Sequence, residues 1–201
     1  MGAGSKRWDV PAVMHEQDGT LRHALHDYAG RVPEHAALAA EYAALLGEPG
    51  EDSFTRARLS EHFTGSAWLV SADGRRVLLT HHRKLGRWLQ LGGHADGDRN
   101  LAAVALREAE EESGLHGLRL QSPAIFDLDR HWIPERGDVP GHWHYDARYV
   151  VVAGDDERFA VSAESLDLAW REIAGIAADA QADESLRRMA VRWLAAASEA
   201  P

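Results

Sequence analysis

The stretch of sequence that decides the fold spans residues 93–115 and reads GHADGDRNLAAVALREAEEESGL. Its second half predicts a helix from Leu101 to Ser113. Asn100 or Asp98 is available as the N-cap of this helix, and Gly114 is placed to end it. A glycine turn precedes the helix, so the stretch combines an open backbone segment with a well-bounded helix.

Three carboxylates share one face of this predicted helix. Glu108, Glu111 and Glu112 are related by steps of three and four residues, whereas Glu110 points the other way. Arg107 lies one turn before Glu111 and can orient it. Clustered carboxylates repel one another unless a cation neutralises them, and Mg²⁺ or Mn²⁺ prefers oxygen ligands. The alternative is a glutamate-rich helix that is simply solvated.

In its spacing the stretch resembles the Nudix box, Gly-x5-Glu-x7-Arg-Glu-aliphatic-x-Glu-Glu-x-Gly-aliphatic. The order of strands from Gly65 to about Trp170 is also similar to that of the Nudix fold. The resemblance implies an α+β protein, a Nudix-type α/β/α sandwich with a mixed sheet. It assigns residues 63–201 to the Nudix domain and leaves residues 1–62 as an N-terminal helical extension.

The same resemblance implies roles for particular residues. Glu111 and Glu112 would be metal ligands, and Glu108 would be a ligand or the group that helps activate water. Arg107 would hold Glu108 in place, and the carbonyl of Gly92 would add a backbone ligand. These five residues are the predicted catalytic and metal site, with Mg²⁺ or Mn²⁺ as the cofactor.

Arg99 departs from the family pattern, because it stands where the box has its first glutamate. The change removes a carboxylate and places a cation beside the site. Three consequences are open: weaker metal binding, an altered brace on Arg107, or a guanidinium that binds a substrate phosphate. Asp98 and Asp96 are close enough in sequence to replace part of the missing carboxylate.

The resemblance implies a metal-dependent hydrolase that cleaves a diphosphate bond in a nucleoside diphosphate derivative. A non-catalytic Nudix-fold module that binds or regulates is the alternative, and Arg99 favours it. The isomerase branch of the fold, which acts on isopentenyl diphosphate, uses a catalytic cysteine. The chain has no cysteine, which argues against that branch.

A second polar group flanks the turn-rich loop 134–141. Alternation predicts that its members share one strand face, with His131 opposite His142 and Asp129 opposite His144, and that His94 approaches them. The members are Asp127, Asp129, His131, His142, His144, Asp146 and Arg148. Three interpretations are open: hydrogen-bonded histidines on a wet face, a substrate-binding wall, and a separate transition-metal site. We predict that His131, His142, His144 and Arg148 contact the substrate with Arg99 and face the cleft over the carboxylate helix.

Composition narrows the classes of partner. The chain has 201 residues and a net charge of -10, which argues against a nucleic-acid polymer as partner. No apolar run approaches the roughly 18 residues of a membrane span, and the N-terminus lacks a signal-like apolar stretch. We therefore expect a cytoplasmic protein with a small nucleotide or other diphosphate as substrate and no membrane partner. A homodimer is possible.

The remaining segments predict helices and strands on either side of the box. Helices are expected at 21–28, 33–46, 55–62 and 181–197, and strands at 67–70, 77–80, 88–91, 118–128 and 143–152.

Overall fold

The computed structural model describes residues 12–48, 50–83, 86–161 and 165–199. The helices are α1 (Ala12–Arg31), α2 (Ala36–Leu45), α3 (Leu101–Ser113), α4 (Ile173–Ala178) and α5 (Glu184–Glu199), with a 3-10 turn at Pro33–His35. The strands are β1 (Glu61–Val70), β2 (Arg76–His82), β3 (Arg87–Leu89), β4 (Leu91–His94), β5 (Arg119–Leu120), β6 (Asp127–Ile133), β7 (His142–Val152) and β8 (Ser165–Glu172). Within these ranges no helix is both long enough and apolar enough for a membrane span.

The eight described strands form one mixed sheet around β1. β1 runs parallel to β7 in an unbroken register from Glu61↔Trp143 to Val70↔Val152. On its other side β1 pairs antiparallel with β4 and with the start of β2. β6 and β5 extend the sheet beyond β7, and β3 and β8 extend it beyond β2. The predicted α+β class with a mixed sheet is confirmed.

The two faces of the sheet carry different helices, which completes the sandwich. Gly65 faces α3, and a Cβ at this position would lie 2.7 Å from the carbonyl oxygen of Leu101. Only a glycine therefore lets α3 pack so closely on β1. Trp68 and Val70 point to the opposite face and share a buried cluster with Leu186, Met189 and Ala190 of α5.

Helices α1 and α2 pack into the same hydrophobic core as α3. The shared cluster contains Leu21, Leu25 and Tyr28 of α1, Ala39, Tyr42 and Leu45 of α2, and Leu101, Val104 and Ala105 of α3. The Tyr42 hydroxyl also donates to the backbone carbonyls of Asp129 and Asp146. The N-terminal helices are thus an integral layer of the packing, and the boundary between residues 62 and 63 remains a prediction.

Three of the expected elements differ in the structure. Residues 55–60 form turns rather than a helix, because the Asp52 carboxylate accepts from the amide of Phe54 and the Ser60 carbonyl accepts from Trp143. The strand expected at 118–128 is reduced to β5 and the first residues of β6, with Pro123 in the irregular segment between them. The strand expected at 88–91 divides at Gln90, where the chain changes partner from β2 to β1.

Candidate active site

Helix α3 begins and ends where the sequence predicts. The side chain of Asn100 accepts a hydrogen bond from the amide of Ala103 at 3.2 Å, which caps the first turn. Gly114 has a left-handed φ of 66°, and its amide donates to the carbonyl of Glu110 at 2.9 Å. These caps fix which carboxylates of the last two turns face the sheet.

Of the three glutamates predicted to share one face of α3, Glu108 and Glu112 are largely buried, whereas Glu111 is exposed. Glu112 is 9% exposed and the side chain of Glu108 is 19% exposed, whereas Glu110 and Glu111 lie at the surface. Glu108 rests directly against Gly93 of β4, where a Cβ would lie 2.5 Å from its Cδ. The glycine turn therefore forms a cradle for the carboxylate of Glu108.

The negative charges at the C-terminal end of α3 favour a bound cation. The carbonyl end of a helix carries a partial negative charge, and the last turn of α3 contains no basic residue to offset it. Carboxylate oxygens in such a place repel one another and the helix end. Carboxylate and carbonyl oxygens are the ligand types that a hard divalent cation such as Mg²⁺ or Mn²⁺ prefers.

Arg107 links the carboxylate helix to the preceding loop. Its guanidinium lies 3.4 Å from Glu108 Oε1 and 3.5 Å from Asp98 Oδ2. Asp98 is the residue immediately before Arg99, where the family pattern has a glutamate. The carboxylate missing at position 99 is therefore supplied to Arg107 by its neighbour, as the sequence suggested.

Arg99 points away from the carboxylates of α3. Its guanidinium pairs with Asp18 of α1 and with Asp52, the latter at 2.9 Å, and its side chain is 9% exposed. The guanidinium carbon also lies 4.6 Å from the ring centroid of Phe54. Arg99 thus connects the N-terminal helix to the loop before α3, and the predicted contact with a substrate phosphate finds no support in this geometry.

The substitution Arg99→Glu is expected to destabilise the fold by about 2 kcal/mol or more, because it places a third carboxylate against Asp18 and Asp52. Urea unfolding measures the loss. Arg99→Met removes the cation without adding a charge and should cost less than Arg99→Glu. Equal free energies of unfolding for the wild type and Arg99→Glu would contradict the role of Arg99 as a link.

The polar residues of β6 and β7 pair in a different register from the predicted one. His131 lies opposite His144, and Asp129 lies opposite Asp146. The predicted pairing was wrong by two residues. Since an even shift preserves the faces, the polar side chains still share one face.

This shared face is not the one that was expected. His144 pairs with His62 of β1. Successive strand residues point to opposite faces, so both histidines lie on the face opposite to Phe63 and Gly65, which face α3. The expectation that the polar face lies over the carboxylate helix is therefore wrong, because the sheet separates the two. The predicted substrate contacts of His131, His142 and His144 stay predictions.

Arg148 is buried at the centre of this polar face. It lies 2.8 Å from Asp146, 3.2 Å from Asp127 and 3.1 Å from Asp129, and it is 2% exposed. Burial would lower the pKa of its guanidinium, but the three carboxylates raise that pKa above its ordinary value. With its charge engaged inside the protein, Arg148 shows no geometry for the predicted substrate contact.

Four histidines converge at the end of this face, among the residues that the structure describes. They are His62 of β1, His94 of β4, and His142 and His144 of β7, and one nitrogen from each lies within 4.8 Å of the others. The approach of His94 was predicted. His62 was missed, because nothing local in the sequence indicates that β1 pairs in parallel with β7.

The substitution Gly93→Ala is expected to lower turnover about 100-fold while changing the free energy of unfolding by less than about 1 kcal/mol. The added methyl group meets the mobile end of Glu108, so the carboxylate moves and the backbone does not. Steady-state kinetics and urea unfolding measure the two effects. Gly19→Ala is the control, since its methyl group would contact nothing within 4 Å. Unchanged kinetics for Gly93→Ala would show that the cradle has no role.

A sequence model of the NUDIX domain matches residues 62–193. Comparison with curated proteins gives no match. Among solved structures, a NUDIX-family hydrolase from Clostridium perfringens is 28% identical, with a TM-score of 0.51. That match covers 68% of this chain and 97% of the other.

Two further solved structures share the fold at lower identity. An Ap4A hydrolase from C. elegans is 14% identical with a TM-score of 0.53, and the match covers 68% of this chain and 97% of that one. A MutT protein from Methanosarcina mazei Go1 is 17% identical with a TM-score of 0.52, over 68% of this chain and 95% of the other.

Proposed function

The chain belongs to the Nudix family, and on this basis we propose that it is a hydrolase that cleaves a diphosphate bond in a nucleoside diphosphate derivative, with Mg²⁺ or Mn²⁺ as cofactor. The observation that carries the proposal is the carboxylate face of α3, with Glu108 seated against Gly93. An acidic helix end of this kind is costly in a protein that does not use it to bind a cation.

Each residue of the site has a role in this reaction. Glu111, Glu112 and the carbonyl of Gly92 would hold the ion, which when bound offsets charge on phosphate oxygens and lowers the pKa of water. Glu108 would accept the proton of the attacking water, whose oxygen forms a bond to phosphorus. The bridging P–O bond breaks, and the leaving phosphate keeps its electron pair. Arg107 would orient Glu108 from a distance of 3.4 Å.

The alternative is a non-catalytic module that binds a nucleotide ligand or regulates a partner. Arg99 is the observation that favours it, because the family pattern has a glutamate at this position. The contact of Asp98 with Arg107 counts against it, because a carboxylate still supports the arginine beside Glu108. We therefore favour the enzyme.

The names of two fold neighbours support a phosphoanhydride as the substrate class, and one of the two names refers to a nucleotide. One is an Ap4A hydrolase and another is a dihydroneopterin triphosphate pyrophosphohydrolase from E. coli. Their identities of 14% and 15% extend to the fold alone, so the diphosphate compound used by this chain is a matter for experiment. The cytoplasmic location and the homodimer stay predictions.

A phosphate-release screen tests the proposal. Nucleotide sugars, ADP-ribose, dinucleotides and oxidised nucleotides are each incubated with the protein and Mg²⁺ or Mn²⁺, and the products are counted as phosphate after phosphatase treatment. Release from at least one compound that stops when EDTA is added supports the hydrolase. Binding of a compound, seen as a raised Tm, without release of any product would favour the non-catalytic module.

A further inference from the structure

The four histidines His62, His94, His142 and His144, called here the histidine cluster, are held by the backbone of three adjacent strands. His62 pairs with His144 across β1 and β7, and His94 pairs with Thr64, two residues along β1. The ring centroid of His62 lies 5.1 Å from that of His94 and 4.9 Å from that of His144. Since these strands form the centre of the sheet, the rings converge without depending on a loop.

Backbone carbonyls fix the orientation of two of the rings. Nδ1 of His62 donates to the carbonyl of Arg58 at 3.1 Å, and Nδ1 of His142 donates to the carbonyl of Pro140 at 2.9 Å. A carbonyl can only accept, so the proton is on Nδ1 and Nε2 carries the lone pair in the neutral ring. This is how metal-binding histidines are commonly oriented in proteins.

Nε2 of His142 and Nε2 of His144 hydrogen-bond to each other, whereas one buried nitrogen of the cluster has no partner among the described residues. Nε2 of His62 is buried and has no hydrogen-bond partner among the described residues, in a side chain that is 4% exposed. A lone pair turned into this interior is costly unless something binds it.

We propose that the histidine cluster binds a divalent transition-metal ion of the zinc class, as a site distinct from the carboxylates of α3. Imidazole nitrogen suits zinc, copper, nickel and iron, whereas Mg²⁺ and Mn²⁺ prefer oxygen. Two nitrogens bound to one tetrahedral zinc at about 2.0–2.1 Å lie about 3.3 Å apart. The Nε2 atoms of His142 and His144 are already 3.1 Å apart.

The two sites lie on opposite faces of the sheet. His94 directly follows Gly93 in β4, and consecutive strand residues point to opposite sides. Gly93 faces Glu108 of α3, so His94 faces away from it. The inference therefore stands independently of the proposed hydrolase activity, because neither its ligands nor its face belongs to the carboxylate site.

The position of the cluster indicates a structural role for the ion. Four protein nitrogens complete a tetrahedral shell and leave no open position for a substrate, which is typical of structural zinc sites. The ion would tie the first residues of β1 and β7 to the last residue of β4. We expect bound zinc to raise the Tm of the whole protein, since the ion binds the folded state.

Isothermal titration of the metal-stripped protein with Zn²⁺ in excess Mg²⁺ tests the proposal, because Mg²⁺ occupies oxygen sites and competes poorly for imidazole. One equivalent of zinc should bind and raise the Tm. His142→Ala and His94→Ala should each weaken binding at least about 100-fold. Titration with Co²⁺, whose visible absorption reports nitrogen coordination, gives a second readout on the same variants.

Matched variants separate this site from the rest of the chain. His116→Ala, an exposed histidine outside the cluster, and Glu112→Gln of α3 should both bind one zinc as the wild type does. Circular dichroism establishes that each histidine variant is folded. A wild type that binds no zinc would overturn the proposal, and so would folded His94→Ala and His142→Ala variants that bind zinc as tightly as the wild type. A raised KM for a nucleotide in these variants without any bound metal would also overturn it, in favour of a substrate wall.

Discussion

The substitution Glu108→Gln is expected to lower kcat by about 100-fold or more and to leave the protein folded. Glutamine has nearly the same shape against Gly93, but its amide cannot accept a proton from the attacking water. The loss should therefore fall on kcat more than on KM. Initial rates over a range of substrate concentrations, with circular dichroism of the variant, measure it.

The neighbouring glutamates provide the control for this prediction. Glu110→Gln makes the same chemical change two residues away, on an exposed side chain outside the carboxylate face. It should leave kcat and the Mn²⁺ affinity unchanged, whereas Glu112→Gln should weaken Mn²⁺ binding. Equal losses in Glu110→Gln and Glu108→Gln would contradict the assignment of the face.

The substitution Arg148→Met is expected to reduce the free energy of unfolding by about 3–5 kcal/mol. Asp127 and Asp146 are 0% and 1% exposed, and without Arg148 their charges lose a principal partner inside the protein. Such a loss is a large part of the roughly 5–15 kcal/mol that stabilises a typical domain. Urea unfolding of the wild type and the variant measures it.

The stability of Arg148→Met can also be tested through its dependence on pH and against a variant of a surface arginine. Burial would raise the pKa of Asp129, but His131 and Arg148 lower it, so this part of the wild-type advantage is present above about pH 4 and is lost as the pH falls below the ordinary pKa of aspartate. Arg158→Met removes an exposed arginine that pairs with Asp156, and it should leave the free energy of unfolding nearly unchanged. Similar losses in the two variants at pH 7 would contradict the importance of the buried network.

Local patterns in the sequence were sufficient to predict the carboxylate helix. Asn100 and Gly114 act within one turn of their own positions, and the spacing of Glu108 and Glu112 fixes a common face whatever the helix packs against. Asp98 could be proposed as a substitute for the missing glutamate because it is next to Arg99 in sequence. Each of these inferences depends on neighbours a few residues apart.

Long-range packing decided the parts that could not be predicted. Arg99 meets Asp18 from a helix 81 residues earlier, and no periodicity in either segment indicates that partner. His62 joins His144 because β1 and β7 run in parallel along their whole length. Alternation showed which polar residues share a face, but it could not show that α3 packs on the other side, since Gly65 sets that contact.

The hairpin register, by contrast, follows from local sequence. The loop between β6 and β7 contains an Arg136↔Val139 bridge, so the strands close at Ile133↔His142. The bounds of the turn-rich loop at 134–141 already place Ile133 opposite His142 and His131 opposite His144, but the predicted pairing did not follow these bounds. The consequence was a shift of two residues, which preserved the polar face and changed each partner across it.

The most direct test of the central claim, that the carboxylate face of α3 hydrolyses a diphosphate bond, is a reaction run in water enriched in the heavy oxygen isotope. The substrate is the compound that releases phosphate in the screen, and mass spectrometry locates the label. The account predicts one labelled oxygen in one of the two phosphate products, formed by the wild type with Mg²⁺ and at a rate at least about 100-fold lower by Glu108→Gln. Products without label, or the same rate of labelling in Glu108→Gln, would contradict it.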